Sequence, residues 1–169
     1  LLEVIDKTLS PMGGRLLKRW LALPLKNLEK IKNRLAIVTY LHQEEAFLQK
    51  IQHHIKQMGD LERLVSKLAT GKINPKEVVQ LKNSLEAVLP IKKAIEQADN
   101  TALQTLGKGL DSCEPLRTKI KQVLNEDAPV NILKGQTIAD GYSEELDELR
   151  NLAFSSKDYL DKMLEREMQ

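Results

Sequence analysis

The sequence predicts an all-α fold: an irregular helical bundle that ends in one long helix. Only 8 Gly and 6 Pro occur among 169 residues, and residue types that favour helices dominate instead. Apolar residues recur three and four positions apart through most of the chain, and several of these stretches follow an Asn, Asp or Ser that can cap a helix. One segment near residues 130–140 departs from this pattern and is predicted to be hairpin-like.

The first three helices are delimited by residues typical of helix ends. Ser10 can serve as an N-cap, and Pro11 suits the first helical position, where an N–H would have no partner. Pro24 ends this helix, Asn27 can cap the next one, and Gly59 closes the third. The second and third helices are predicted from two apolar stripes: Leu28, Ile31, Leu35, Val38 and Leu41, then Phe47, Leu48, Ile51, Ile55 and Met58.

The middle of the chain also contains residues typical of helix starts and ends. Asp60 can cap a helix that ends at Gly71. The stretch NPKE, residues 74–77, combines an N-cap, a first-turn proline and the glutamate of a capping box. Pro90 should kink or break the helix that follows. A short helical segment around 103–110 and a helix over 112–125 come next.

The helical spacing of apolar residues is interrupted at residues 128–142, APVNILKGQTIADGY. Val130, Ile132 and Ile138 flank a turn at Lys134–Gly135, which predicts the hairpin. Ser143 then caps a final helix that continues to the last residue. Because the sequence lacks an initiator Met and this helix has no stop signal, we expect a piece of a longer protein.

Composition excludes several classes of protein. The net charge of +2 is too small to indicate a nucleic-acid-binding protein by itself. Residues 144–169 carry eight acids and four bases, an asymmetry that a solvated surface explains better than a polyanion site. Cys113 is the single cysteine, so no internal disulfide is possible and a reducing compartment fits. The longest apolar run, residues 20–25, is too short to span a membrane.

Gly13–Gly14 raises the question of a phosphate-binding loop. A P-loop needs Gly-x-x-x-x-Gly-Lys-Ser/Thr after a strand, and neither the motif nor the strand is present. We interpret these glycines as permitting close approach of another backbone. Arg15, Lys18 and Arg19 share one helical face and could meet phosphates, but a solvated face or ion pairs to acids is favoured.

No catalytic, cofactor-binding or metal-binding residue is predicted. His53 and His54 are adjacent and diverge on a helix, and His42 lies eleven positions before the first of them, so the three are poorly spaced for a metal. Cys113 has no basic neighbour to activate it as a nucleophile. The remaining candidates are four acids in one helical turn, which fit the positive end of the helix dipole: Glu144, Glu145, Asp147 and Glu148.

Four motifs together carry a resemblance. TLSPMGGRLLKRWLALPL, IKQMGDLERLVSKLATGK, DAPVNILKGQTIADGYSEELDELR and YLDKMLERE occur in this order. The ordered set resembles the MutS family of bacterial DNA mismatch-repair proteins over essentially all 169 residues. The resemblance implies that residues 1–142 belong to the family's helical core domain. It implies that residues 143–169 begin the lever helix leading to the DNA clamp, with Gly141, Tyr142 and 145–150 at its opening.

The same resemblance implies what the chain would not do alone. Neither the family's mismatch-reading Phe-x-Glu nor its Walker A loop occurs here, so the chain is expected not to be an enzyme. DNA-binding residues stay unknown, because the main clamp contacts are expected beyond Gln169. The full-length protein would use ATP and Mg, bind mismatched duplex DNA, form a homodimer, engage a MutL-type partner and work in the bacterial cytoplasm at the nucleoid. The alternative is a stand-alone helical adaptor that binds partner helices.

Overall fold

The computed structural model describes the backbone of residues 1–167 and the side chains of residues 1–155. Over this range the secondary structure is helical apart from one isolated β-bridge, which confirms the all-α prediction. The helices are α1 (Leu2–Ile5), α2 (Pro11–Ala22), α3 (Leu28–Gln43), α4 (Glu45–Gln57), α5 (Leu61–Ala69), α6 (Pro75–Glu86), α7 (Val88–Glu96), α8 (Thr101–Lys108), α9 (Glu114–Val123) and α10 (Glu144–Glu167).

Side-chain caps fix the starts of the helices where the sequence predicted them. The side chains of Ser10, Asn27, Asp60 and Asn74 each accept a hydrogen bond from a backbone N–H three residues later, at 3.0–3.2 Å. At Asn74 the Glu77 carboxylate also accepts from the Asn74 N–H at 3.2 Å, which completes the capping box. Such caps satisfy N–H groups that have no partner within the helix.

Pro90 breaks the helical path, as predicted. Helix α6 ends at Glu86 and α7 begins at Val88, with Ala87 between them. Pro90 has no N–H to donate to the Glu86 carbonyl four residues earlier, and its ring would collide with that carbonyl in a continuous helix. The break therefore falls one turn before the proline rather than at it.

Helices α6 and α7 form the centre of the molecule. Five residues of α6 and four of α7 are buried. One apolar cluster joins α7 and α8 through Ile91, Ile95 and Leu103, and half-buried side chains of α3 and α4 pack against it. A second cluster joins α5 and α6 through Leu64, Leu81 and Leu85. The first cluster is thus centred on α7 and the second on α6.

The first four helices contain no buried residue. Helices α3 and α4 lie against the centre through half-buried side chains, among them Tyr40 and Phe47, whose rings meet edge to face with centroids 5.5 Å apart. Several large apolar residues on these helices are exposed: Trp20, Leu21, Leu28, Leu35 and Val38. This part of the fold is a layer packed on one side only.

Two details differ from the sequence predictions. Helix α9 begins at Glu114, and its N-cap is Cys113 in a left-handed conformation with φ 49°, so the helix starts later than residue 112. The predicted hairpin has no ladder across Lys134–Gly135; a 3-10 turn, Ile132–Lys134, lies there. Ile138 pairs instead with Leu124 at the end of α9, in a single antiparallel bridge that closes the loop between them. The strand partner of Ile138 is therefore the residue that follows α9, and not a residue across the Lys134–Gly135 turn.

The final helix begins where predicted. Ser143 Oγ accepts from the Leu146 N–H at 3.3 Å, and α10 runs from Glu144 to Glu167. These 24 residues extend about 36 Å at ~1.5 Å per residue. Residues 168 and 169, which the prediction also placed in this helix, lie outside the described residues. The division into a core over 1–142 and a lever over 143–169 stays a prediction.

Candidate functional site at the base of the final helix

Arg150, in the second turn of α10, holds the base of that helix to the rest of the molecule. Its guanidinium donates to Asp140 Oδ1 at 2.7 Å, to Asp147 Oδ1 at 3.1 Å and to the Ile138 carbonyl at 2.8 Å. The side chain is 21% exposed, so these contacts are partly shielded from water. A planar guanidinium with several donors suits such a three-way contact, and a lysine ammonium could not reproduce its geometry.

Asp147 contributes a second tie with its other carboxylate oxygen. Asp147 Oδ2 accepts from the Gly141 N–H at 2.7 Å. Gly141 has φ 78°, a conformation that favours glycine and turns the chain into the helix. One aspartate thus bridges the arginine of the helix and the backbone of the entering turn, which fixes the direction in which α10 leaves the fold.

The entering segment is itself attached to α9. The Asn125 N–H donates to the Thr137 carbonyl at 3.0 Å, and the Ala139 N–H donates to the Val123 carbonyl at 2.9 Å. Lys119 of α9 lies 5.5 Å from the ring centroid of Tyr142, within the range of a cation–π contact. Because α9 packs on α6, the chain of contacts runs from α10 to the buried centre.

The loop between α9 and this segment is tied to α6 by a buried lysine. The Lys82 side chain is 5% exposed, and its Nζ lies 3.4 Å from Glu126 Oε1 and 4.0 Å from Glu86 Oε1. A buried ammonium requires a nearby carboxylate, because water no longer solvates it. Lys82 therefore holds the loop before the helix base against the centre of the fold.

The contacts at this site hold the final helix in place. The first turn of α10 carries three of the four predicted acids, Glu144, Glu145 and Asp147, whose charge complements the helix dipole; Glu148 follows that turn. Among the described residues, no group of three or more His, Cys, Asp or Glu side chains is arranged to hold a metal ion. The arrangement can set and keep the angle of a long helix relative to the core.

The Gly13–Gly14 stretch leads to an ion-pair cluster. Arg15 donates to both carboxylate oxygens of Asp60, at 2.9 and 2.7 Å, and to Glu62 Oε2 at 2.7 Å. The hydrogen bonds from Arg15 lower the pKa of the Asp60 carboxyl. The favoured prediction of ion pairs is confirmed for Arg15, which joins α2 to α5.

The close neighbours of the two glycines are side chains rather than the predicted backbone. A Cβ on Gly13 would lie 3.2 Å from Ser10 Oγ and 3.3 Å from Thr8 Cβ, and one on Gly14 would lie 3.3 Å from Thr8 Oγ1. The capping loop before α2 folds back over the first turn of the helix. This explains the small residues there without any ligand.

The histidines and the cysteine take structural positions. His53 and His54 both face Gln57, with nitrogen–nitrogen and nitrogen–oxygen distances of 3.1 and 3.4 Å, and His42 lies in the last turn of α3. Cys113 occupies the N-cap position of α9 without a capping hydrogen bond from its side chain, and it packs against the cluster of α5 and α6. The predicted absence of catalytic, cofactor and metal residues stays a prediction.

Sequence reasoning missed the pairing of Arg150 with Asp140 and Ile138. The contact with Asp147 could have been read from the i, i+3 spacing on a helix. Asp140 precedes the helix by a turn whose course depends on the bridge between Leu124 and Ile138, and no local pattern specifies that bridge.

Within the described residues, no helix combines the length and the apolar character needed to cross a bilayer.

Comparison with known proteins places the chain in a family. Residues 1–167 match MutS domain III. The chain is 58% identical over all its 169 residues to the DNA mismatch repair protein MutS of Christiangramia forsetii, covering 19% of that protein. It is 56% identical to that of Flavobacterium johnsoniae and 49% identical to that of Bacteroides fragilis, in each case over the whole chain and 20% of the relative. The chain thus spans about a fifth of the length of these relatives. With this match and the helical core and anchored final helix, the chain belongs to the MutS domain III family.

Proposed function

We propose that this chain is the core and lever domain of a DNA mismatch repair protein. Residues 1–142 form the core and residues 143–169 begin the lever, a long helix that carries position between the core and a DNA clamp. The observation that carries this proposal is the base of α10, where Arg150 and Asp147 tie the helix to a segment attached to α9. A stiff helix transmits displacement only if its base is held.

The longer protein would recognise mismatched duplex DNA and couple this recognition to ATP binding and hydrolysis with Mg. It would act as a homodimer, engage a MutL-type partner and work in the bacterial cytoplasm at the nucleoid. The names of the relatives support mismatch repair as the process. In this proposal the domain performs no chemistry of its own and transmits position between the sites that do.

The way the contacts at the base are shared supports the proposed lever role. Rotation of α10 would pull Arg150 away from Asp140 and Ile138 together, since one guanidinium binds both. The displacement would then reach α9 through the paired backbone at Val123 and Ala139. Coupling between distant sites requires an element with defined positions of this kind.

A chimeric protein tests the proposal. The corresponding domain of the Christiangramia forsetii MutS is replaced by this sequence, and Arg150→Lys is introduced. Lysine keeps the positive charge but lacks the planar guanidinium group that binds two partners at once. We expect the basal ATP hydrolysis rate to persist, while its response to mismatched relative to paired duplex falls by roughly two- to thirtyfold, the range that mutations between coupled sites produce.

Arg63→Lys on α5 is the matched control, because it makes the same chemical change away from the base of α10. Circular dichroism establishes equal folding of the variants. If the Arg150→Lys chimera responds to mismatched duplex as the unmutated chimera does, at equal folded concentration, the lever proposal is wrong.

A further inference from the structure

An apolar groove lies between α2, α3 and α8. Its volume is about 520 Å³, and most of its lining is apolar. The apolar lining residues include Trp20, Leu25, Ile37, Val38 and Leu106. Val38 is 61% exposed and Leu106 is 59% exposed, so the described part of the chain leaves these side chains largely uncovered. A groove between helices with an apolar floor is the shape that receives an amphipathic helix.

The groove is also basic. Lys30 and Arg34 line it, and the Arg34 guanidinium carbon lies 3.5 Å from the centroid of the Trp20 ring. Within residues 1–155, no carboxylate oxygen lies within 4.0 Å of a nitrogen of either side chain. The surrounding stretch, residues 18–34, contains six Lys or Arg and one acid, Glu29.

The third wall adds no opposing charge. Helix α8 has the sequence TALQTLGK, which contains no acid. The groove therefore combines an apolar floor with a positive rim. This differs from the Arg15 cluster on the other part of α2, where Asp60 and Glu62 already neutralise the guanidinium.

We propose that this groove binds an acidic amphipathic α-helix of a partner protein. Apolar side chains spaced at i, i+3, i+4 and i+7 would fill the floor, and carboxylates beside them would meet Lys30 and Arg34. Nucleic acid fits less well, because phosphates would use the rim and leave the apolar floor exposed to water. The inference does not depend on the lever role of α10, since none of the described side chains of that helix, residues 144–155, lines the groove.

The chain contains a built-in reporter for this test. Trp20 is its single tryptophan, lines the groove and is 41% exposed. Covering it with apolar side chains should shift its emission to shorter wavelength. The probe is a tryptophan-free synthetic helix of about 18 residues, with leucines at the positions above and glutamates on its polar face. A second peptide keeps the leucines and replaces the glutamates by lysines.

We expect the acidic peptide to shift Trp20 emission saturably and the basic peptide to produce no shift. Arg34→Glu should weaken binding of the acidic peptide roughly tenfold or more, because it places like charges together. Since this variant also alters the environment of Trp20, anisotropy of a labelled peptide gives the affinity independently. Lys93→Glu, an exposed charge reversal on α7, is the matched control and should bind as the unmodified chain does.

Four results would overturn the proposal. In the first, neither peptide binds. In the second, both peptides bind equally, which would mean that the positive rim selects nothing. In the third, a duplex oligonucleotide shifts Trp20 emission while the acidic peptide does not, which would assign the groove to nucleic acid. In the fourth, the Trp20 shift appears with protein concentration alone and sedimentation shows a dimer, which would make a second copy the occupant.

Discussion

Helices α1–α4 and helices α6–α7 differ in how much of their apolar surface is buried, although both sets contain helices with apolar stripes. The two central helices together contain nine buried residues, five on α6 and four on α7. The four N-terminal helices contain none, and they present Trp20, Leu35 and Val38 to solvent. An apolar stripe therefore predicts a helix without predicting that its face is covered.

The difference lies in how many sides of a helix are packed. Helix α7 contacts α4, α6 and α8, so its apolar residues are enclosed from several directions. Among the N-terminal helices, α3 contacts α8 and α4 contacts α7, and the side chains that pack there are half-buried. Since hydrophobic stabilisation scales with the area removed from water, the centre should contribute most of the stability.

The largest expected effect is a cavity in the centre. Leu81 is 3% exposed, and Leu81→Ala should lower the free energy of unfolding by about 2–5 kcal/mol. Leu35 on α3 is 60% exposed, and Leu35→Ala should change it by no more than about 0.5 kcal/mol. Urea unfolding followed by circular dichroism measures both values. Equal losses in the two variants would contradict the division into a buried centre and a one-sided layer.

A smaller effect is expected from glycines in the two regions. A Cβ on Gly107 of α8 would lie 2.5 Å from Ile95 Cγ2 in the centre, so Gly107→Ala should cost about 1–3 kcal/mol through overpacking. This exceeds the gain of roughly 0.5–1 kcal/mol that alanine brings to a helix. At Gly13 of α2 the nearest atoms would be 3.2 Å or more away, in small side chains. The steric cost of the added methyl group and the gain in helix propensity should therefore nearly cancel.

Thermal unfolding of Gly107→Ala and Gly13→Ala provides the comparison. The midpoint should fall for the first variant and change little for the second. A stabilised Gly107→Ala variant would show that α8 can move away from Ile95, and that the centre is less tightly packed than the burial of Ile95 and Leu103 indicates.

The smallest effect concerns the link between the outer layer and α5. Hydrogen bonds from Arg15 lower the pKa of Asp60, so the carboxylate form is favoured in the folded state. A lowered folded pKa means that this contribution to stability is present above the ordinary carboxyl pKa of about 3.9. It is lost as the pH falls through the lowered value.

Arg15→Gln should return the Asp60 pKa towards its ordinary value, as measured by carbon-detected NMR titration of the carboxyl group. The variant should be slightly less stable than the unmodified chain at neutral pH, and the difference should vanish in acid. Because Arg15 and Glu62 are largely exposed, added salt should also reduce the difference. An unchanged Asp60 pKa in the variant would remove Arg15 as the cause.

Local rules account for what the sequence predicted well. The caps at Ser10, Asn27 and Asn74 act within three residues, so the sequence identifies both partners. The break before Pro90 follows from a missing N–H and a steric clash, which are also local. The ordered motifs identified the family, which the match over residues 1–167 confirms.

The sequence by itself determined most of the helices, the starting points of those with a side-chain cap, and the family, because capping and apolar periodicity act over one or two turns. The tertiary structure alone decided which apolar faces are buried, which acids neutralise Arg15 and how Ile138 pairs with Leu124. It also decided the anchor of α10, since Arg150 and Asp140 meet across a turn that the bridge positions. These contacts join residues that are distant in the chain, or separated by irregular backbone, and only the packing of the whole fold fixes their distances.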